Sequence, residues 1–257
     1  MTGRRLLRTI MVAVWTASWF LVWGTATLVL LPFHQWRRRW RTSCFGQWAR
    51  GILAILRVAV VSDGPIPKPA PFVLATNHLS YLDVILLARL VPTVFVAKRE
   101  VRSWPVWGIL SRAMGTIYVD RERPRDTLRV SGTIEKALRL GDNVVIFPEG
   151  TSTDGSTVAP FRSSLLDAAS RTNIPVYYAS LNYGTHSTDP PAHLAVCWWG
   201  DMEFAPHFWA LCGLTRIEAS IRFGHEPIRA TDRKQLAQSL HQAVTSDFTP
   251  VINKEHA

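Results

Sequence analysis

Acidic residues are missing from the start of this chain. Met1 to Ser62 holds nine arginines and no aspartate or glutamate, within a 257-residue sequence of net charge +10. The basic character therefore belongs to the N-terminus, and the remainder is close to neutral. From Thr9 to Trp36 there is no charged side chain of either sign. Cysteine is scarce: Cys44, Cys197 and Cys212 are odd in number and scattered. That excludes a disulfide framework and a zinc-ligand pattern, and fits a reducing, cytosol-facing setting. No metal-ligand cluster, P-loop or Gly-rich dinucleotide loop is present, so no metal and no cofactor is expected. A serine hydrolase would want G-x-S-x-G, and the nearest approach, Gly150 to Asp154, lacks the second glycine. Cys197 lies inside "AVCWW" and reads as core, which disfavours a thiol-based transferase. Internal repeats and low-complexity tracts are absent as well.

What is present begins with a long apolar run. "MVAVWTASWFLVWGTATLVLLPF" exceeds the roughly 20 residues that cross a hydrocarbon core. It predicts a membrane-embedded helix, bordered by Arg4, Arg5 and Arg8 and by "WRRRWR", Trp36 to Arg41, as an interfacial belt requires. No small-residue cleavage site follows, against a removable signal peptide. Arginine on both flanks leaves the positive-inside rule without a preferred orientation, and Pro32 is placed to bend the segment back, so spanning and re-entrant helices both stay open. Trp15, Trp19 and Trp23 share one helix face, suited to lipid or to helix packing. "CFGQWARGILAILRVAV" reads as an amphipathic helix in the interface. Arginines interleaved with tryptophans beside a bilayer-length run point to anionic lipid headgroups as partners and not to nucleic acid.

"DGPIPKPAP", Asp63 to Pro71, cannot continue a helix and reads as a linker. The expected division is a membrane-anchoring helical segment, 1–62, and one globular domain, 63–257. Strand-like runs follow: "FVLAT", "TVFVA", "TIYV", "NVVIF", "IPVYYASL", "HLAVCWW" and "IEASIRF". Helix-compatible stretches lie between the earlier ones, at Tyr81 to Arg89 and Arg125 to Leu140, the latter with Gly141 as C-cap. This alternation predicts an α/β fold with a mostly parallel sheet covered by helices. The strand-rich stretch from Ile174 to Phe223 makes the sheet mixed.

The polar end of "VLATNHLSYLD" admits two readings. Ser80-Tyr81-Leu82-Asp83 fits the S-x-x-D capping box, with Ser80 as N-cap. Alternatively, His78 in the turn before the helix faces Asp83 in its first turn, so that the carboxylate holds one ring nitrogen while the other accepts a proton. Both can hold together.

Three further segments decide the resemblance. "GTIYVDR" ends a strand with Asp120 and Arg121, "VIFPEGTSTDG" ends another with Pro148 to Thr151, and "NIPVYY" opens a third at Pro175. With Asn77, His78 and Asp83 they resemble, in order and spacing, the four blocks of the glycerolipid acyltransferases, and more narrowly the 1-acylglycerol-3-phosphate acyltransferase branch. The resemblance runs from about residue 60 to 230 and makes 63–257 an acyltransferase catalytic domain. It implies a membrane-associated enzyme that moves a fatty acyl group from an acyl-CoA or acyl carrier protein thioester to the free hydroxyl of a lysophospholipid, giving phosphatidic acid from 1-acylglycerol-3-phosphate. His78 is then the general base and Asp83 orients it, without a covalent acyl-enzyme. A positioned base of this kind contributes about 10²–10⁴-fold. Arg121 is carried over as a phosphate ligand, its guanidinium offering forked donors, against the plain reading of a surface ion pair in "DRERPRD". Glu149, Gly150 and Thr151 are carried over to acceptor binding, and Lys98 is a further candidate for headgroup contact. The implied location is the cell membrane, with the catalytic domain facing the cytoplasm.

Two departures bear on the acceptor. Many relatives carry a basic residue where this chain has Ser152, and the later aromatic-basic-x-Gly pattern appears as Phe161 to Ser164. "WWGDMEFAPH" resembles a feature of a bacterial subset that includes enzymes acylating lyso-ornithine lipid. There Asp201 and His207 either touch the headgroup or order a loop. The alternatives are thus lyso-ornithine lipid as acceptor, or a non-catalytic lipid-binding protein, which retention of His78 and Asp83 disfavours.

Overall fold

The computed structural model describes residues 2–120 and 126–252. Its strands are β1 (Val58–Asp63), β2 (Val73–Thr76), β3 (Thr93–Lys98), β4 (Ile117–Val119), β5 (Asn143–Ile146), β6 (Val176–Thr185) and β7 (Ile217–Phe223). Its helices are α1 (Thr2–Val29), α2 (His34–Ile55), α3 (Leu82–Leu90), α4 (Trp107–Ala113), α5 (Asp126–Arg139), α6 (Asp167–Arg171), α7 (Ala192–Ala195), α8 (Phe204–Leu211) and α9 (Arg233–Asp247). The strands form one sheet in the order β1-β7-β6-β2-β5-β3-β4. All neighbours are parallel except β6 and β7, so the sheet is mixed as expected.

β2 and β5 are buried on both faces, which is why their sequences are near-continuous apolar runs. Phe72 and Leu74 face a core shared with α2, α3 and α8, whereas Val73 and Ala75 face α5 and α9. α5 offers Val130, Ile134 and Leu138 to that second core. It ends at Gly141, whose φ of 84° suits glycine and whose N–H donates to Leu138 O at 2.8 Å.

Three expectations change. "HLAVCWW" is not a strand. The chain makes one helical turn, α7, after Pro191, and Trp198 N then donates to Leu79 O at 2.8 Å, so this backbone pairs with a loop. A short apolar run does not distinguish a strand from other buried backbone. Conversely, residues 58–63 continue the apolar stretch of α2 but form the edge strand β1, parallel to β7. Arg57, at φ 57°, ends the helical path and redirects the chain. The first 62 residues therefore contribute most of a strand to the seven-stranded sheet. Finally, α2 does not lie free in an interface. Phe45, Trp48, Ile52 and Leu56 are buried in the core, and Arg38 and Arg41 both pair with Asp142 at 2.9 Å.

α1 is long and apolar enough to cross a membrane, at about 42 Å. One face packs on the domain: Trp15 Nε1 donates to Trp48 O at 3.0 Å, and Trp23 meets Phe45 at 6.0 Å between centroids. The tryptophan face thus serves helix packing. The opposite face exposes Leu7, Val14, Leu21 and Leu28. Near its start, buried Arg8 donates to Leu214 O at 2.6 Å. Beside its end, Trp40 of α2 donates to Trp23 O. α1 and α2 form a hairpin that rests against the domain along its length.

Candidate active site

β2 ends at Thr76, but its neighbour β6 continues for six more residues beyond Ala179, the partner of Thr76. Asn77 bridges the change. Its Nδ2 donates to Leu181 O at 3.0 Å and its Oδ1 accepts from Leu181 N at 2.7 Å, a side-chain substitute for strand pairing. The main chain is thereby released to turn, and α3 starts at Leu82.

Asp83, fully buried in the first turn of α3, organises that loop. Its Oδ2 accepts from His78 Nδ1 at 2.7 Å, Leu79 N at 2.7 Å and Ser80 N at 3.0 Å. Ser80 Oγ accepts from Leu82 N at 3.3 Å. Only half of the expected capping box forms: Asp83 reaches back to Ser80 N, but the N-cap is Tyr81 and Asp83 N bonds the Ser80 carbonyl; the His–Asp pair uses the same carboxylate. Since Oδ2 is an acceptor, Nδ1 carries a proton, and in the neutral ring the lone pair is therefore on Nε2. The ring stacks on Phe147 at 4.1 Å and lines a cavity of about 290 Å³. Lys98, Gly150, Thr151 and Ser152 line the same cavity.

Glu149 is placed differently. It is buried, with Oε1 accepting from His78 N at 2.6 Å and Oε2 from Ala159 N at 2.8 Å. Burial pushes its carboxyl group up to about 7, against the pull of the two backbone bonds, and nearby Asp83 adds to the rise. Its carboxylate holds the backbone of the His78 loop, while its neighbours Gly150 and Thr151 face the cavity. Arg121 lies outside the described residues. Asp120, just before it, accepts from Arg99 at 2.9 Å. Ser152 Oγ donates to Trp198 O, tying the loop after β5 to the loop after α7. His207 is buried and its Nδ1 meets Tyr81 OH at 3.0 Å, so it orders this aromatic wall. Burial lowers its pKa and keeps it neutral. Asp201 is exposed. Cys197 is fully buried, and burial pushes its thiol up, away from a reactive thiolate.

A second, more apolar cavity of about 860 Å³ adjoins the first. Val12 and Phe20 of α1 form one side, Ile109 and Leu110 of α4 another, and Trp48, Trp104 and Phe204 border both spaces. A polar site with a free imidazole nitrogen thus opens beside a lipid-compatible groove built partly from α1.

Sequence reasoning missed Tyr183, whose hydroxyl donates to Asp83 Oδ1 at 2.7 Å. Its one signal was a polar-tipped ring on the inward face of β6, in line with Ala179 and Leu181.

A family model described as Acyltransferase matches residues 57–181. The chain is 33% identical to a lyso-ornithine lipid O-acyltransferase of Rhodobacter capsulatus, over 85% of this chain and 80% of that one. It is 26% identical to a 1-acyl-sn-glycerol-3-phosphate acyltransferase of Neisseria meningitidis, over 76% of each. The crystal structure of the acyltransferase PlsC from Thermotoga maritima superposes with a TM-score of 0.70 over 96% of both chains, at 20% identity, and shares the fold.

Proposed function

The chain belongs to the glycerolipid acyltransferase family, and on that premise we propose that it acylates the free hydroxyl of a lysolipid in the membrane, with 1-acylglycerol-3-phosphate as acceptor and phosphatidate as product. One observation carries this reading: the 2.7 Å bond from His78 Nδ1 to buried Asp83, which leaves Nε2 as base in a cavity beside an apolar groove. The acceptor hydroxyl gives its proton to Nε2 as its oxygen attacks the thioester carbonyl. The C–O bond forms, the C–S bond breaks, and the imidazolium returns the proton to the leaving thiolate. Asp83 stabilises the imidazolium. We take acyl-CoA or acyl carrier protein thioester as donor, the apolar groove as the place for acyl chains, and Lys98, Gly150, Thr151 and Arg121 as acceptor contacts. Glu149 serves that group by holding the His78 loop.

The exposed apolar face of α1 is membrane-facing. Contact of the hairpin with the domain at both Arg8 and Arg38 favours insertion from one side, and we take that side to be the cytoplasmic surface.

A second acceptor, lyso-ornithine lipid, is favoured by the 33% relative. Ser152, where the family resemblance implies a cation, bonds Trp198 O instead. Purified full-length protein in detergent, given labelled acyl-CoA and a panel of lysolipids, decides between them. Labelled phosphatidate supports the first acceptor and labelled ornithine lipid the second. Labelled free fatty acid alone refutes acyl transfer.

A further inference from the structure

We propose that Tyr183 is a positioning residue for this reaction: its hydroxyl, donated to the carboxylate oxygen that His78 does not use, fixes the plane of Asp83 and through it the imidazole. The proposal rests on the roles of His78 and Asp83 given above.

The geometry starts from strand register. Thr76, the last residue of β2, pairs with Ala179. Residues two apart share a face of a strand, so Ala179, Leu181 and Tyr183 all point to the α3 side, and all three belong to that core. Tyr183 lies about 13 Å beyond the end of β2, which brings its phenol beneath the first turn of α3. There the hydroxyl reaches Asp83 Oδ1 at 2.7 Å. Both side chains are buried, Tyr183 at 3% exposure and Asp83 at 0%.

The two oxygens of Asp83 are treated unequally. Oδ2 takes three N–H donors from the catalytic loop, and Tyr183 is the partner of Oδ1. All four partners are donors, so the carboxylate acts only as an acceptor. Donors gathered at one oxygen hold that atom but leave the carboxylate plane free to pivot about it. A bond at the second oxygen stops the pivot. Burial and the adjacent Asp83 charge raise the phenol well above its ordinary pKa, so the hydroxyl keeps its proton under assay conditions. The bond also draws negative charge toward Oδ1, away from the imidazole. Without it, Asp83 attracts the imidazolium more strongly, and His78 stays protonated, and inactive as a base, to higher pH.

A tyrosine that merely meets a buried acceptor to satisfy its hydroxyl predicts something else: its loss lowers stability and leaves the chemistry of the remaining folded enzyme alone. Tyr183→Phe in the full-length protein separates the two. With lysophosphatidate and a long-chain acyl-CoA as probes, kcat should fall about tenfold to a hundredfold, as for loss of a hydrogen bond to a charged group. KM for each substrate should change less than about twofold, the signature of a defect in the transition state alone. The acid limb of the kcat/KM profile should move to higher pH, and Tyr183→Phe should cost little more in an Asp83→Asn background. A folded variant with wild-type kcat and acid limb overturns the proposal, as do losses that multiply with those of Asp83→Asn. Where Tyr183→Phe melts too low to assay, 3,5-difluorotyrosine placed at 183 alone keeps the shape and strengthens the donor. The acid limb should then move to lower pH, and an unmoved limb overturns the proposal. His78→Ala with wild-type turnover would instead refute the underlying base assignment, and the proposal with it, whatever Tyr183→Phe does.

Discussion

Asn77 meets the main chain of Leu181 with both groups of its amide, at 3.0 and 2.7 Å, across 104 residues of sequence. Asn77→Asp keeps the acceptor but removes the donor, leaving Leu181 O buried without it. We expect a loss of about 1–3 kcal/mol in stability, and reduced turnover because His78 follows Asn77 directly. Thermal unfolding alongside turnover checks this. An Asp variant that melts with the wild type would show that the amide does not hold the loop.

His78→Ala should reduce turnover by about 10²–10⁴-fold while leaving the melting temperature near wild type, because the ring lines a cavity. Asp83→Ala should lose comparable activity and also unfold at lower temperature. Three further donors, Leu79 N, Ser80 N and Tyr183 OH, lose their acceptor with it. Equal melting temperatures for the two variants would contradict the structural half of Asp83's role.

Glu149 makes stability depend on pH. Its folded carboxyl group titrates at about 7, against an ordinary value of 4.5, so the fold retains a proton that the unfolded chain releases between those values. Stability from this group is therefore fully present below about pH 4.5 and lost as pH rises through about 7, on the order of 3 kcal/mol. Glu149→Gln should flatten this part of the melting-temperature profile. Parallel slopes for both proteins between pH 5 and 8 would rule the linkage out.

Ser152→Arg places a cation directly after Thr151, which lines the cavity. If the natural acceptor bears a phosphate, the arginine should lower KM for lysophosphatidate without improving use of lyso-ornithine lipid. Steady-state kinetics with each acceptor varied in turn read the difference. A uniform loss with both would report only the broken contact to Trp198.

Removal of residues 1–63 should yield an unfolded or aggregated protein and not a soluble catalytic domain. It strips β1 from β7 and takes Trp48, Ile52 and Leu56 out of the core. Circular dichroism of the truncated chain is the check, and a cooperative native-like melt would refute it.

That last expectation shows where sequence stopped short. The buried parallel strands were legible because β-branched apolar runs bounded by turns have few other uses, and α5 because its apolar period and Gly141 agree. β1 was not, because its break from α2 rests on one left-handed residue, Arg57, with no glycine or proline to mark it. In the site, the spacing of His78 and Asp83 is a weak signal by itself, and it was the resemblance carried by the later blocks, ending at Arg121, Thr151 and Val176, that singled the pair out. The bond from His78 N to Glu149 and the bond from Tyr183 to Asp83 join residues 71 and 100 positions apart, and such pairs leave no trace in either local pattern.

The pairing of β1 with β7 sets a schedule for synthesis. About 160 residues separate Val58 from Ile217, its partner in the sheet. At roughly 5–20 residues per second the ribosome needs about 8–30 s to supply the second strand after the first. During that interval the apolar hairpin and an unpaired edge strand have left the ribosome while the sheet that receives them is incomplete. The apolar hairpin is thus exposed for seconds before the strand that completes its own side of the sheet has been made.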